Sequence, residues 1–336
     1  MAPPPHNLDR YLDGPVKNLV AAPEVSLKDE EKERHRIFAL LLMAITSHYW
    51  NGLKDGRDYT YPLNPSTGEG DKARFLEDDY HGHNIACLAV DLNGRVIDFE
   101  FNHNELFNSS AEHAEARLVR RVFSLSQLTD GEATGTKWEL AQLTLKDAAL
   151  PKKYGTLLNG VSLYTSLESC SQCSGIMALG QVKEVIYLQR DPGMYFIGNI
   201  LRRLTVGTGL QAPLPISGHD ISLSYFDALN EGYEAFRRQQ EKEEGLPFKI
   251  KSDGKKLWST SITSYLCTRS AYLIFVKAEA ALRSLVLAFP EYRPLKESLV
   301  PGEQEEALTN QQAWSRARIF LDYAMNAGRR GTPHRI

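Results

Sequence analysis

The sequence predicts an α/β fold: a three-layer α/β/α sandwich around a mixed five-stranded sheet, with a helical extension at its carboxyl-terminal end. Three observations predict it. A pair of strand-like runs meets at Asn93-Gly94 and is followed by helical stretches that alternate with short apolar runs. From about residue 220 the apolar spacing is helical throughout. The length of 336 residues exceeds what one core comfortably holds, so a main domain plus an extension is expected rather than two equal halves. The expected organisation is a flexible tail over 1–25, a main domain over 26–220 and a helical extension over 221–336.

Taken in order, the first 25 residues are proline-rich and weakly patterned. Leu27 to Leu53 is helical in spacing, starts acidic and ends near Gly52 or Gly56. Its apolar run, Ile37 to Thr46, is too short to span a bilayer and reads as the buried part of a helix. Residues 54–82 mix glycine, proline and aspartate with scattered aromatics, as a long irregular loop does. His83 to Asp91 reads as a buried strand, Asn93-Gly94 as a hairpin turn and Arg95 to Asn102 as the returning strand. Ser109 and Glu112 have capping-box spacing, which places His113 and Glu115 in the first turns of the next helix. Residues 126–160 form a polar insertion. Then come a strand over Val161 to Leu167, a helix over Cys170 to Gln181 and a strand over Lys183 to Arg190. A helix over Tyr195 to Leu204 and a short strand near Leu214 to Ile216 complete the domain. In the extension, Phe226 to Gln240, Ser261 to Ala288 and Glu303 to Ala327 each carry an amphipathic stripe. In the last of them Trp314, Ala317, Phe320, Leu321 and Ala324 line one side.

Composition narrows the class. Basic and acidic side chains number 39 and 42, the net charge is −3 and 42% of residues are hydrophobic, the balance of a soluble globular protein. A disordered chain, a collagen-like chain and a polybasic nucleic-acid coat are excluded. Four cysteines are too few for a disulfide scaffold and suit a reducing compartment, where paired cysteines mean metal or redox chemistry. The amino-terminal residues lack the basic start and apolar run of a signal peptide. The apolar stretch Ile262 to Phe289 is interrupted by Arg269, Lys277, Glu279 and Arg283, which a bilayer would not accept cheaply. A cytoplasmic protein without a membrane partner is expected.

His113, Cys170 and Cys173 have the character of a zinc site. Cysteines three apart at a helix start direct both sulfurs to one side, and a histidine opening a second helix supplies a third ligand. Three ligands leave one position open for water, which Zn2+ makes acidic enough to ionise near neutral pH. Glu115, two residues past His113, is placed to exchange protons with that water. An H-x-E set with a downstream C-x-x-C is the signature of zinc nucleobase deaminases.

On these residues the chain resembles the cytidine deaminase-like superfamily, nearest its tRNA adenosine deaminase-like branch. The likeness covers about residues 30 to 215 and is most specific in Ser166-Leu167-Glu168-Ser169-Cys170-Ser171-Gln172-Cys173-Ser174-Gly175 and the following Val182 to Tyr187. The family pattern there is T-L-E-P-C-x-x-C-x-G-A. The resemblance implies the cytidine deaminase-like fold with its last two strands parallel, one catalytic Zn2+ per chain with a bound water, His113, Cys170 and Cys173 as metal ligands, and Glu115 as the catalytic proton shuttle. It further implies a substrate-binding asparagine contacting the nucleoside sugar at Asn102, eleven residues before His113. The implied activity is that of a hydrolase acting on C–N bonds, converting adenine to hypoxanthine in RNA or single-stranded DNA with release of ammonia. The implied partner is a nucleobase-containing substrate: tRNA, single-stranded nucleic acid or a nucleotide. A homo-oligomer is left open.

The chain departs from the pattern at Ser169, where the family has proline; serine is a good N-cap, so the helix and the metal site are expected to survive. Ala86-Cys87 replaces small residues of the first strand and brings a thiol toward the metal. Other readings stand beside these. The reaction can instead convert cytosine to uracil in nucleic acid or a free base, nucleoside or nucleotide. A structural zinc closed by Cys87 or Cys267, in a deaminase-like scaffold with a helical interaction region, needs no catalysis. Asn102 can be a strand-end turn residue, His81, His83 and His103 structural histidines, and Tyr195 and Phe196 core aromatics rather than base-stacking ones. The arginines at 117, 120 and 121 match the pattern of a solvated helix surface.

Overall fold

Alternation along the strands decides what each face of the sheet holds. The computed structural model describes residues 16–50, 83–104, 109–126, 158–194, 196–250, 253–294 and 307–327. The stretch expected as a loop over 54–82, His81 included, Tyr195 and residues 127–157 of the insertion expected over 126–160 lie outside the described residues. In chain order the helices are α1 (Val16–Val20), α2 (Asp29–His48), α3 (Ala114–Ser126), α4 (Ser171–Leu179), α5 (Ile197–Thr205) and α6 (Ser224–Glu241). They continue as α7 (Ile262–Tyr265), α8 (Arg269–Phe275), α9 (Lys277–Arg283) and α10 (Asn310–Ala327).

The strands β1 (Ala86–Val90) and β2 (Val96–Phe101) pair antiparallel across the Asn93-Gly94 turn, as the sequence predicts. Gly94 has φ 85°, and a Cβ there would collide with the Arg34 guanidinium, so the turn requires glycine twice over. β3 (Ser162–Thr165) joins β1 antiparallel. β4 (Glu184–Tyr187) pairs parallel with β3, and β5 (Leu214–Ser217) parallel with β4. The order is β2-β1-β3-β4-β5, a mixed five-stranded sheet. The helical crossover α5 makes the last pair parallel.

On one face Tyr164 meets His35 and Phe38 of α2, while Phe99 meets Phe320 of α10. Cys87, Glu100 and Thr165 share a cross-strand row on the opposite face, where α3 packs. Every residue of α2 from Ile37 to Thr46 is buried, because α9 and α10 cover its side away from the sheet. The extension is thus stitched to the sheet domain. Glu33 accepts from Ala288 N at 2.6 Å and Phe289 N at 2.9 Å, and Arg34 donates to the carbonyls of Leu308 at 2.8 Å and Asn93 at 3.1 Å.

Two local readings change. The stretch read as an amino-terminal tail contains α1, tied to α5 by Asn199 Nδ2 on Val20 O (3.0 Å) and Arg203 on the Ala21 and Ala22 carbonyls (both 2.9 Å). The stripe over 261–288 breaks into α7, α8 and α9. Ser261 and Thr268 accept from the backbone N–H of Ser264 and Ala271, at 3.1 and 3.3 Å, and so restart the helix each time. Among the described residues no helix is long and apolar enough to cross a membrane.

Candidate active site

Two helix starts meet beyond the end of β3. Cys170 is the extended N-cap residue of α4, and Cys173 lies in that helix's first turn. His113 directly precedes α3, and Glu115 is the second residue of that helix. His113 Nδ1 lies 3.3 Å from Cys170 Sγ and 3.5 Å from Cys173 Sγ. One ligand atom from each of the three residues falls within 4.8 Å of the others. An imidazole and two thiols so converged form a donor set that suits Zn2+ in chemistry and in size.

The charge distribution supports the same conclusion. Hydrogen bonds from Cys173 and then His113 hold the Cys170 thiol down, to about 4. His113 is raised, first by its hydrogen bond with Cys170, and Cys173 is raised by its bond to Cys170 and by burial. Cys170 is thus the sulfur of the group most readily freed of its proton, the form in which a cysteine ligates a metal. Among the described residues no fourth histidine, cysteine or acidic side chain joins the group. Cys87, in β1, and Cys267, after α7, are not members of that group.

Glu115 is 3% exposed and faces the cysteine pair. Its Oε2 lies 3.4 Å from Cys173 Sγ, and its Oε1 accepts from Ser169 Oγ at 3.0 Å. Burial pushes its carboxyl above the ordinary range. The Ser169 contact corrects the capping expectation. Cys170, not Ser169, occupies the N-cap position of α4, and the Ser169 hydroxyl turns to the carboxylate instead.

The start of α3 is corrected as well. Ser109 and Glu112 do not form its capping box: Ser109 Oγ accepts from Ala111 N at 3.2 Å, and the Glu112 carboxylate pairs with Arg117 and Arg120. The first helical N–H, on Ala114, donates instead to Asn102 Oδ1 at 2.7 Å. Asn102 thus caps α3 from the end of β2 and locates His113. His103 is buried beside it, its N–H donating to Glu112 O at 2.9 Å, and His83 is half-buried ahead of β1.

Beneath the site, Arg117 and Arg121 are buried rather than solvated. Arg117 Nε stands 3.4 Å from Glu100 Oε2, and Arg121 Nε stands 2.8 Å from Asp98 Oδ2. A signal for this was present: acids alternate at 98 and 100 on one strand, and arginines four apart follow on the helix. Two further ties brace the walls. Gln172 Nε2 donates to Ala111 O at 2.9 Å, joining the start of α4 to the loop before His113. Asp191 N donates to the Glu168 carboxylate at 3.1 Å, joining the exits of β3 and β4, and burial pushes Glu168 up to about 7.

No protein-family model and no curated protein matches the chain. Solved structures resemble it in part. One comes from studies of A-to-I editing by tRNA:A34 deaminases at the wobble position of transfer RNA; identity is 22% over 43% of this chain and 83% of that one, with a TM-score of 0.26. A second is guanine deaminase from Nitrosomonas europaea, at 16% identity over 67% and 94% of the two chains, with a TM-score of 0.26. A third is a diaminohydroxyphosphoribosylaminopyrimidine deaminase/5-amino-6-(5-phosphoribosylamino)uracil reductase from Thermotoga maritima, at 16% identity over 60% and 41%, with a TM-score of 0.30. All three are deaminases by name.

Proposed function

We propose that the chain is a zinc-dependent hydrolase that removes the exocyclic amine of a nucleobase. The observation that carries this reading is a three-ligand group, His113, Cys170 and Cys173, with a buried carboxylate against it and no fourth ligand among the described residues. A closed structural site uses four protein ligands and has no need of Glu115. When bound there, Zn2+ supplies a water acidic enough to react near neutral pH. Glu115 takes the proton of the attacking water and passes it to the departing amine nitrogen, so that oxygen replaces nitrogen on the ring carbon and ammonia leaves. Burial raises the Glu115 carboxyl above its ordinary range, which makes its carboxylate a stronger base for the proton of the water.

Adenine in RNA or single-stranded DNA is the proposed substrate, on the Leu167-Glu168 lead-in to Cys170 that resembles the adenosine branch. A base in a duplex would have to be flipped out. Asn102 is proposed to contact the sugar while it caps α3, and the chain to work in the cytoplasm. The test is metal analysis of the purified protein together with mass-spectrometric screening of tRNA, single strands, nucleotides and free bases. One zinc per chain and inosine or hypoxanthine with released ammonia are expected. Uracil as the product would replace adenine by cytosine. Zinc-loaded protein that releases no ammonia from any of these substrates would end the enzyme reading. Glu115→Ala should abolish turnover, by about a hundredfold or more, while keeping zinc.

A further inference from the structure

A carboxylate that shuttles protons must be held within hydrogen-bond reach of both the proton it takes and the atom it delivers to. Glu115 carries three rotatable side-chain bonds, and two side chains here donate to it. One is the Cys173 thiol, 3.4 Å from Oε2. Cys173 is itself one of the three proposed metal ligands, so its sulfur has another partner when the site is loaded. The other is the Ser169 hydroxyl, 3.0 Å from Oε1, which does not titrate and remains.

That hydroxyl is presented on a braced segment. Glu168 N donates to Gln189 O at 2.8 Å and Ser174 N to Cys170 O at 2.9 Å, one on each side of Ser169. The Glu168 carboxylate accepts from Asp191 N at 3.1 Å, and Ser169 itself is 5% exposed. The resembled motif has proline at this position, which carries no side-chain donor. We propose that Ser169 is a positioning residue that fixes the Glu115 carboxylate for proton transfer, a role that rests on the deaminase reading above.

The test is Ser169→Ala in the zinc-loaded protein, with Ser169→Thr as the rescue. Ser169→Ala should lower kcat about tenfold with KM little changed, and Ser169→Thr should recover most of the loss. Zinc should stay at one per chain in both variants. A second readout needs no turnover: Ser169→Ala should lower the denaturant midpoint in the wild-type background and leave it unmoved in a Glu115→Ala background. An unchanged kcat in Ser169→Ala, a loss of zinc, or an equal midpoint shift in both backgrounds overturns the positioning role. If the wild-type protein itself releases no ammonia while the midpoint shift depends on Glu115, the contact stands and the reaction assignment fails instead.

Discussion

At the scale of single residues, the proposed metal site rests on three side chains, and among the described residues no fourth ligand stands beside them. Neither Cys87 nor Cys267 belongs to that group, so Cys170→Ala leaves a two-ligand site. It should purify without zinc, and a chelator should lower Tm in the wild type but not in this variant; stoichiometric zinc in Cys170→Ala would remove Cys170 from the ligand set. Asn102 is tested differently, because its Oδ1 caps α3. Asn102→Ala should cost about 1 kcal/mol of stability by denaturant unfolding, and Asn102→Asp, which keeps an acceptor, should recover most of it. Equal losses in both variants would mean that the cap contributes nothing. The candidate ligands His113, Cys170 and Cys173, and Glu115 beside them, are legible in the sequence because metal and proton chemistry demand particular side chains at fixed short spacing. The partners of Ser169 and Asn102 were not legible. A serine or asparagine before a helix offers the same oxygen to a local N–H or to a group across the fold, and only the tertiary structure chooses Glu115 for the first and Ala114 for the second.

At the scale of elements, α3 is held on β2 by charge as well as by packing. Glu100 is 2% exposed and stands between Arg117 and Arg121. Removing one member of a buried ionic group strands the others, so Glu100→Ala should destabilise the fold by about 3 kcal/mol. A change within experimental error would show that solvent reaches the arginines. Burial raises the neighbouring Asp98 carboxyl to about 6 from an ordinary 3.8, with Arg121 opposing. A carboxyl that binds its proton more tightly when folded stabilises the fold below its unfolded value, and the contribution is lost as pH rises through about 6. Asp98→Asn should therefore flatten the stability curve between roughly pH 4 and pH 6, and an unchanged slope would discard this account. The hairpin at Asn93-Gly94 was readable because its backbone admits few residues. The division of 261–288 was not, since the continuous apolar stripe hid the caps at Ser261 and Thr268.

At the scale of the whole molecule, the extension completes the core. The sequence shows amphipathic helices after residue 220 but not the surface they seek, because one stripe fits the sheet domain and a second subunit equally well. In the structure the stripe of α10, with Ala313, Ala317, Phe320, Leu321 and Ala324 all at most 1% exposed, packs on α2, and Phe320 reaches Phe99 of β2. The outer side of α2 thereby becomes as apolar as the side that meets the sheet. Each large apolar side chain returned to water forfeits about 1.5–3 kcal/mol, and a domain's whole margin is about 5–15 kcal/mol. Cutting the chain before α10 exposes several such residues at once. It also strands Glu33 and Arg34, both buried and both bonded to Asn310. A chain ending at Leu308 should therefore express as insoluble or molten protein, without a cooperative thermal transition and without stoichiometric zinc, although every ligand and Glu115 remain in it. A soluble truncated form that melts cooperatively and holds one zinc would show that the sheet domain stands alone and that α10 serves another purpose.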